Sequence, residues 1–113
     1  FLEPDKAVRR NLTENLLALG AGDQALVLPR DATNPGPKPT QGPFDLVFAD
    51  APYRSGLGTL ALESLATELW LSPHALAVLE TEENEAILTP KRFNKIDDRT
   101  YGRTRFVFLK LGT

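Results

Sequence analysis

The sequence has 113 residues, of which 42% are hydrophobic and 25% charged, and its net charge is -2. This composition is typical of one globular domain and excludes a collagenous or disordered chain. Its apolar runs are shorter than the roughly 20 residues that span a bilayer, and no leader-like pattern opens it, so we expect a cytoplasmic protein without membrane contact. With no cysteine and one histidine, thiol chemistry is excluded and no metal site is expected.

The first half of the sequence alternates between apolar runs and a helical pattern. Phe1-Leu2-Glu3 is typical of the end of a strand, and apolar residues then recur at helical spacing over residues 8–19. Residues 25–28 and 44–49 predict two short buried strands. Between them, residues 33–43 hold four prolines and two glycines. That composition excludes a regular element and predicts a loop.

The second half predicts a helix over residues 57–69 and a buried strand over residues 75–79. The apolar side of this helix is expected to consist of Leu57, Leu60, Ala61, Leu65 and Leu69. Two further strands, residues 93–96 and 104–109, are predicted to form an antiparallel hairpin joined by a polar turn over residues 97–102. This order of elements predicts an α/β fold with a mostly parallel sheet that ends in a hairpin.

Charge is distributed unevenly. Residues 91–110 contain seven basic and two acidic side chains, a net charge of +5, although the whole chain is acidic. This basic hairpin is the part of the chain suited to a phosphate backbone. A solvated hairpin face with scattered charges is the alternative interpretation.

Acidic residues follow the predicted strands. In open α/β sheets, ligands bind beyond the carboxyl ends of the strands. The acids expected at those ends are Glu3, Asp31, Asp50 and Glu80. Glu80 also opens an acidic run through residue 85, which is typical of a solvated loop.

The segment that ends in Asp50-Ala51-Pro52-Tyr53, after an apolar strand, resembles the Asp-Pro-Pro-Tyr motif of methyltransferases that act on exocyclic amino groups of bases. The resemblance implies S-adenosylmethionine as methyl donor. It also implies that the Asp50 carboxylate and the Ala51 carbonyl accept the amine N–H groups, that Pro52 fixes the turn and that Tyr53 stacks on the base. Ala51 replaces the usual proline, which leaves Asp50 less constrained. An ordinary β-turn after a core strand is the alternative.

The resemblance extends along the chain and implies further cofactor contacts. The first five residues and the helix after them are similar to the second strand and helix of this class, where the acid at the strand end receives the cofactor's ribose hydroxyls. That role falls to Glu3. Asp31 and Ala32 resemble the segment that meets the adenine, and Asp50 is expected to border the cofactor as well.

The turn Tyr101-Gly102-Arg103-Thr104, combined with the motif above, resembles the RsmD-type family of bacterial 16S ribosomal RNA guanine-N2 methyltransferases. The alternative is ordinary hairpin turn chemistry. The family resemblance implies a Rossmann-like class I sheet and contact with ribosomal RNA or the small ribosomal subunit. The residues expected to contact RNA are Arg54, Tyr101, Arg103 and Arg105.

The family's first strand and glycine-rich turn are absent from residues 1–113. We therefore expect one N-terminally incomplete domain that is inactive alone and prone to self-association through exposed sheet edges. The predicted activity of the complete protein is methyl transfer to guanine N2 of small-subunit ribosomal RNA. Two alternatives remain: an N-methyltransferase acting on DNA, tRNA or another amine, and a noncatalytic fragment or RNA-binding module.

Overall fold

A computed structural model describes residues 1–52 and 54–112 of the chain. Its regular elements are α1 (Lys6–Ala18), a short 3-10 helix (Gly22–Gln24), β1 (Phe44–Asp50), α2 (Leu57–Thr67), β2 (Leu71–Glu82), β3 (Phe93–Tyr101) and β4 (Thr104–Leu111). The strands form one sheet in the order β1-β2-β4-β3. β1 and β2 are parallel, whereas β4 is antiparallel to both β2 and β3. The α/β fold with a C-terminal antiparallel hairpin is thus confirmed, but the predicted mostly parallel sheet is not, because only one of the three strand pairings in the described residues is parallel.

Helix α1 is defined by its caps rather than by burial. The Asp5 side chain accepts hydrogen bonds from the backbone N–H groups of Ala7 and Val8 at 2.8 and 3.0 Å, as an N-cap does. Gly20 has φ +70° and follows the C-cap, a conformation that glycine adopts without steric cost. None of the helix's residues is buried, and Leu17 is 66% exposed. The predicted helix is present, but its apolar side meets no core.

Helix α2 covers one face of the sheet and forms the core with it. Leu62 on the helix and Leu109 on β4 are fully buried, and Trp70 at the end of the helix is also buried. The predicted apolar side of this helix is partly wrong, because Leu57, Leu60 and Leu69 are exposed and Leu62 and Ala66 take their place in the core. The side of α2 that faces the sheet is therefore rotated around the helix axis away from the side that the leucine spacing predicts.

The first two predicted strands are reduced to a single bridge between Leu2 and Leu28. The Glu3 N–H donates to the Leu28 carbonyl at 3.1 Å, and the Leu28 N–H donates to the Phe1 carbonyl at 2.9 Å. Within the described residues neither segment pairs with another strand, so no ladder extends from the bridge. This pair contacts the main core through Leu2 and Leu28.

The predicted polar turn over residues 97–102 is wrong, because β3 continues to Tyr101. The turn consists of Gly102 and Arg103 alone, and Gly102 has φ +61°, which suits the first position of a tight hairpin turn. Charged residues remain extended here because β3 is an edge strand whose acids pair with nearby bases. The basic character of the hairpin is therefore partly neutralised by its own acids.

Residues 31–43, which include the proline-rich stretch, contain no helix or strand. Side chains of three residues outside this loop donate hydrogen bonds to its backbone carbonyls. The Trp70 indole donates to the Gly36 carbonyl at 2.8 Å, and the Ser64 hydroxyl donates to the Thr33 carbonyl at 2.9 Å. Arg30 donates to the Pro35 carbonyl at 3.0 Å. The loop is thus held against α2, and several of its residues line a cavity beside β1.

Candidate active site

Asp50 and Glu80 lie opposite each other at the carboxyl edge of the parallel pair β1 and β2. Asp50 is the last residue of β1, and its register partner on β2 is Glu80. Because side chains alternate between the two faces of a strand, both residues share the face of Phe48 and Val78, opposite α2. Two acids that are 30 positions apart in sequence therefore meet at one edge of the sheet.

The chain leaves β1 through Ala51 and Pro52 and enters α2 by a tight connection. The Ser55 hydroxyl donates to the Pro52 carbonyl at 2.6 Å and accepts from the Leu57 N–H at 3.2 Å. Since the ladder ends at Asp50, the Ala51 carbonyl lies just beyond it. Tyr53, the predicted base-stacking residue, lies outside the described residues, and its role stays a prediction.

Close packing beneath this connection depends on Gly58 in the first turn of α2. A Cβ atom at Gly58 would collide with Cδ1 of Leu79, a side chain that is itself buried in the core. The same Cβ would approach the Ala51 Cβ at 3.8 Å. The absence of a side chain at this position lets α2 begin directly against the end of β1.

A cavity of about 850 Å³ adjoins this edge, within the size range of small-molecule sites. Its lining includes every residue that the sequence assigned to the cofactor, namely Glu3, Asp31, Ala32 and Asp50. Ala51 and Pro52 of the motif also line it, together with apolar side chains such as Phe44 and Leu28. The structure thus brings the predicted cofactor residues and the described part of the motif to one cavity.

Two of the acids in this cavity already accept backbone hydrogen bonds. Glu3 Oε1 accepts from the Asp5 N–H at 3.0 Å. Asp31 Oδ1 accepts from the Thr33 N–H at 2.9 Å and from the Thr33 hydroxyl at 2.8 Å. These bonds stabilise the ionised form and lower the pKa of Asp31. One oxygen of each carboxylate makes these contacts, which leaves the other as an acceptor for hydroxyl or amino groups of a ligand.

Glu80 differs from these two acids, because its pKa is raised. The main cause is its hydrogen bond with Asp50, followed by desolvation and by repulsion between the two charges. Sequence analysis placed Glu80 at a strand end but assigned it no role. The signal that could have identified Glu80 is that Asp50 and Glu80 each follow the apolar run of a predicted strand, and these two strands are neighbours in the sheet.

The predicted RNA contacts fall into two groups. Arg54 and Arg105 are engaged in ion pairs: Arg54 Nε lies 2.7 Å from Glu82, and Arg105 Nη2 lies 2.6 Å from Asp98. Tyr101 and Arg103 lie exposed at the tip of the hairpin, and no ion pair of Arg103 occurs among residues 1–52 and 54–112.

The described residues hold no group of three or more acids or histidines arranged to bind a metal ion. No helix in this part of the chain is both long and apolar enough to cross a membrane.

A family model described as "Conserved hypothetical protein 95" matches residues 1–110. Two curated relatives carry the name ribosomal RNA small subunit methyltransferase D. The chain is 35% identical to the one from Haemophilus influenzae over 104 residues, which cover 90% of this chain and 54% of the relative. It is 30% identical to the one from Escherichia coli over 107 residues, which cover 94% of this chain and 53% of the relative.

A solved structure of a protein described as a methylase from Haemophilus influenzae superposes with a TM-score of 0.81 at 31% identity, covering all of this chain and 71% of that one. The chain spans about half the length of the curated relatives it matches. Its sequence and its fold agree with the resemblance found in the motif and in the hairpin turn. The chain therefore belongs to the Conserved hypothetical protein 95 family, the RsmD-type family that these relatives represent.

Proposed function

We propose that the complete protein transfers a methyl group from S-adenosylmethionine to the exocyclic N2 of a guanine in small-subunit ribosomal RNA. The observation that carries this proposal is the convergence of Asp50, Ala51 and Pro52 with Glu3 and Asp31 on one cavity. The names of the curated relatives support ribosomal RNA as the substrate class. Such a substrate would place the protein in the cytoplasm.

The target amine explains why acceptors are needed at this edge. The lone pair of an exocyclic amino group is delocalised into the ring, so the nitrogen is a weak nucleophile. Acceptors on its two N–H groups favour the geometry in which the lone pair is localised on nitrogen. The Asp50 carboxylate and the Ala51 carbonyl, adjacent in sequence at the end of β1, suit these two positions.

The acceptors around the cavity match the groups of the proposed cofactor. When bound, S-adenosylmethionine supplies an electrophilic methyl group attached to a positively charged sulfur. Glu3 would accept the ribose hydroxyls, and Asp31, beside Ala32, would accept the adenine amino group. The cavity's many apolar side chains exclude water from the rest of the ligand.

The cavity is a groove between two backbone segments, each of which has an edge without a strand partner among the described residues. β1 pairs with β2 on one side, and no residue that the structure describes pairs with its other side. The bridged pair at Leu2 and Leu28 forms the opposite wall. We propose that an extended segment from outside residues 1–113 fills this groove and completes the cofactor site, and that the 113-residue chain alone is inactive for this reason.

RNA contact is proposed for the hairpin tip and for the motif's flank. Arg103 and Tyr101 at the tip would meet a phosphate and a base or sugar, and Arg54, just after the motif in sequence, would contact a phosphate. The Glu82 partner of Arg54 must then be exchanged for a phosphate, which an exposed ion pair permits because it contributes little stability.

Methyl transfer by the complete protein to small ribosomal subunits that lack this modification tests the proposal. Asp50→Ala is expected to lower kcat by at least about 100-fold. Asp45→Ala, at the opposite end of the same strand and outside the cavity lining, is the matched control and should keep nearly full activity.

Nucleoside mass spectrometry of the labelled RNA then identifies the methylated atom. Full activity of Asp50→Ala would overturn the assigned site. Label in DNA or tRNA but not in the subunit would overturn the substrate, and a product other than N2-methylguanosine would overturn the position.

A further inference from the structure

Glu80 lies opposite Asp50 on the neighbouring strand, and the proposed reaction gives it no role. The two occupy opposite positions on adjacent parallel strands, which lie about 4.8 Å apart. Their side chains project from the same face of the sheet, so the two carboxyl groups are neighbours. Two carboxyl groups can form a hydrogen bond with each other only after one of them has gained a proton, since a carboxylate has no donor.

The surroundings favour a proton shared between these two acids. On the other side of Glu80, its register partner on β4 is Phe106, whose ring lies 6.5 Å from that of Phe48 and 6.2 Å from that of Tyr101. Glu80 is half-buried beside these rings, whereas Asp50 is exposed. Because two adjacent negative charges repel each other, a proton gained by either carboxyl group is shared with the other.

No free positive charge compensates the pair among residues 1–52 and 54–112. Of the bases on neighbouring elements, Arg54 is paired with Glu82 and Arg99 is paired with Asp97. The remaining titratable groups near Glu80 are Glu82 and Tyr101 on its own face of the sheet and Glu85 in the loop after β2, which lines a small cavity together with Glu80. The acids in this set add negative charge, which favours uptake of a proton by the pair.

We propose that Glu80 is a positioning residue for Asp50, and that the two carboxyl groups together accept the proton that the target amine loses. This inference rests on the proposed function. Methylation leaves one positive charge on the amine nitrogen. Its N–H bond then breaks with the electron pair staying on nitrogen, and the proton passes to the Asp50 carboxylate, where a hydrogen bond to Glu80 holds it before release to water.

Because both groups are ionised before the transfer, the pair is a stronger base than a lone carboxylate, and the hydrogen bond that forms as the proton arrives fixes the orientation of Asp50. This second effect compensates for the freedom that Ala51 allows, because the residue before a proline is more restricted than the residue before an alanine. Glu80 would thus restrict the conformation of Asp50 in part, as a proline at position 51 would.

Glu80→Gln in the complete protein tests the proton, because glutamine keeps the shape and a hydrogen-bond donor but cannot titrate. The wild-type rate is expected to fall at acid pH as the pair becomes protonated. The variant should show this fall at lower pH, with a kcat reduced about threefold to tenfold at neutral pH and little change in KM. Glu80→Ala should reduce kcat further, since Asp50 also loses its orientation.

Glu83→Gln, on the adjacent exposed loop, is the matched control and should leave both kcat and the pH profile unchanged. A carboxyl-carbon NMR titration provides a readout that does not need activity. The Glu80 carboxyl group should titrate at lower pH in Asp50→Asn than in the wild type, because the variant lacks the neighbouring acid that raises the pKa of Glu80.

The outcomes separate this inference from the proposed function. If Asp50→Ala abolishes methyl transfer while Glu80→Gln leaves the pH profile unchanged and Asp50→Asn leaves the Glu80 titration unchanged, the inference is wrong and the proposed function stands. If the Glu80 titration shifts in Asp50→Asn but Asp50→Ala leaves methyl transfer intact, the proposed function fails, and the proton-accepting role fails with it.

Discussion

Asp98 on the hairpin and Glu80 at the carboxyl edge are acids in neighbouring parts of one sheet, yet their pKa values move in opposite directions. Two hydrogen bonds from Arg105, together with Lys95, lower the pKa of Asp98 to about 2. Glu80 has another acid, Asp50, as its partner, and its pKa is raised. The difference shows that the hairpin uses its charges to hold its strands together, whereas Asp50 and Glu80 at the carboxyl edge form no ion pair with a base among the described residues.

The two regions are also stabilised by different means. Every residue of β3 after Phe93 is exposed, so the outer strand of the hairpin has little packing to hold it. At the carboxyl edge, the first turn of α2 rests directly on Leu79. Packing positions the carboxyl edge, and this leaves its polar groups available for a substrate.

The largest effect should come from breaking this packing. In Gly58→Ala the added methyl group collides with the buried Leu79, so we expect a loss of about 1–3 kcal/mol in the free energy of unfolding of the complete protein and lower activity. Gly22→Ala is the control, since its close contact is with the flexible, exposed Leu17. Urea denaturation measures both. Equal stability of Gly58→Ala and wild type would show that packing does not fix this edge.

A smaller effect is expected when a hairpin acid is neutralised. Asp98→Asn removes a bidentate ion pair whose side chains are 27% and 20% exposed, and it should cost about 1 kcal/mol at neutral pH. Asp97→Asn breaks a more exposed pair with Arg99 and should cost less. Denaturation at two salt concentrations measures both costs, and equal losses for the two variants would argue against the bidentate pair as the main contact.

The same pair predicts a pH dependence. Because the pKa of Asp98 is lowered from 3.8 to about 2 in the folded protein, its stabilisation is complete above pH 3.8 and is lost as the pH falls toward 2. The stability difference between wild type and Asp98→Asn should therefore shrink over this range. Urea denaturation between pH 2 and 7 measures it, and a constant difference would exclude charge as its cause.

The smallest effect on stability is expected at the hairpin tip, where the effect on RNA binding should be larger. Arg103→Gln should weaken binding several-fold and reduce the salt dependence of the binding constant by about one phosphate contact, with stability unchanged. Arg105→Gln should lower stability first, since its guanidinium holds Asp98 and the Glu85 carbonyl. Binding assays at several salt concentrations separate the two, and equal salt slopes for wild type and Arg103→Gln would exclude the tip as a phosphate contact.

The sequence was a good guide where a local signal determined the structure. The apolar run before Asp50 predicted β1, and the helical spacing after residue 56 predicted α2. The expectation that β1 is buried was wrong, because this strand lies at the edge of the sheet, where Leu46 is 63% and Phe48 62% exposed. It was a poor guide to the polar residues of β3, because polar side chains are typical of turns unless a partner strand is known. The side of α2 that faces the core was also predicted incorrectly, since several leucines compete for it and only the sheet selects among them.

For the candidate site, the sequence by itself determined the residue types: the acids at the strand ends and the Asp50-Ala51-Pro52 segment. Only the tertiary structure decided which of them meet. The parallel register placed Glu80 opposite Asp50, and the antiparallel register placed Asp98 within reach of Arg105. The physical reason is that a pKa depends on neighbours within a few ångströms, and in a sheet those neighbours come from strands far apart in sequence.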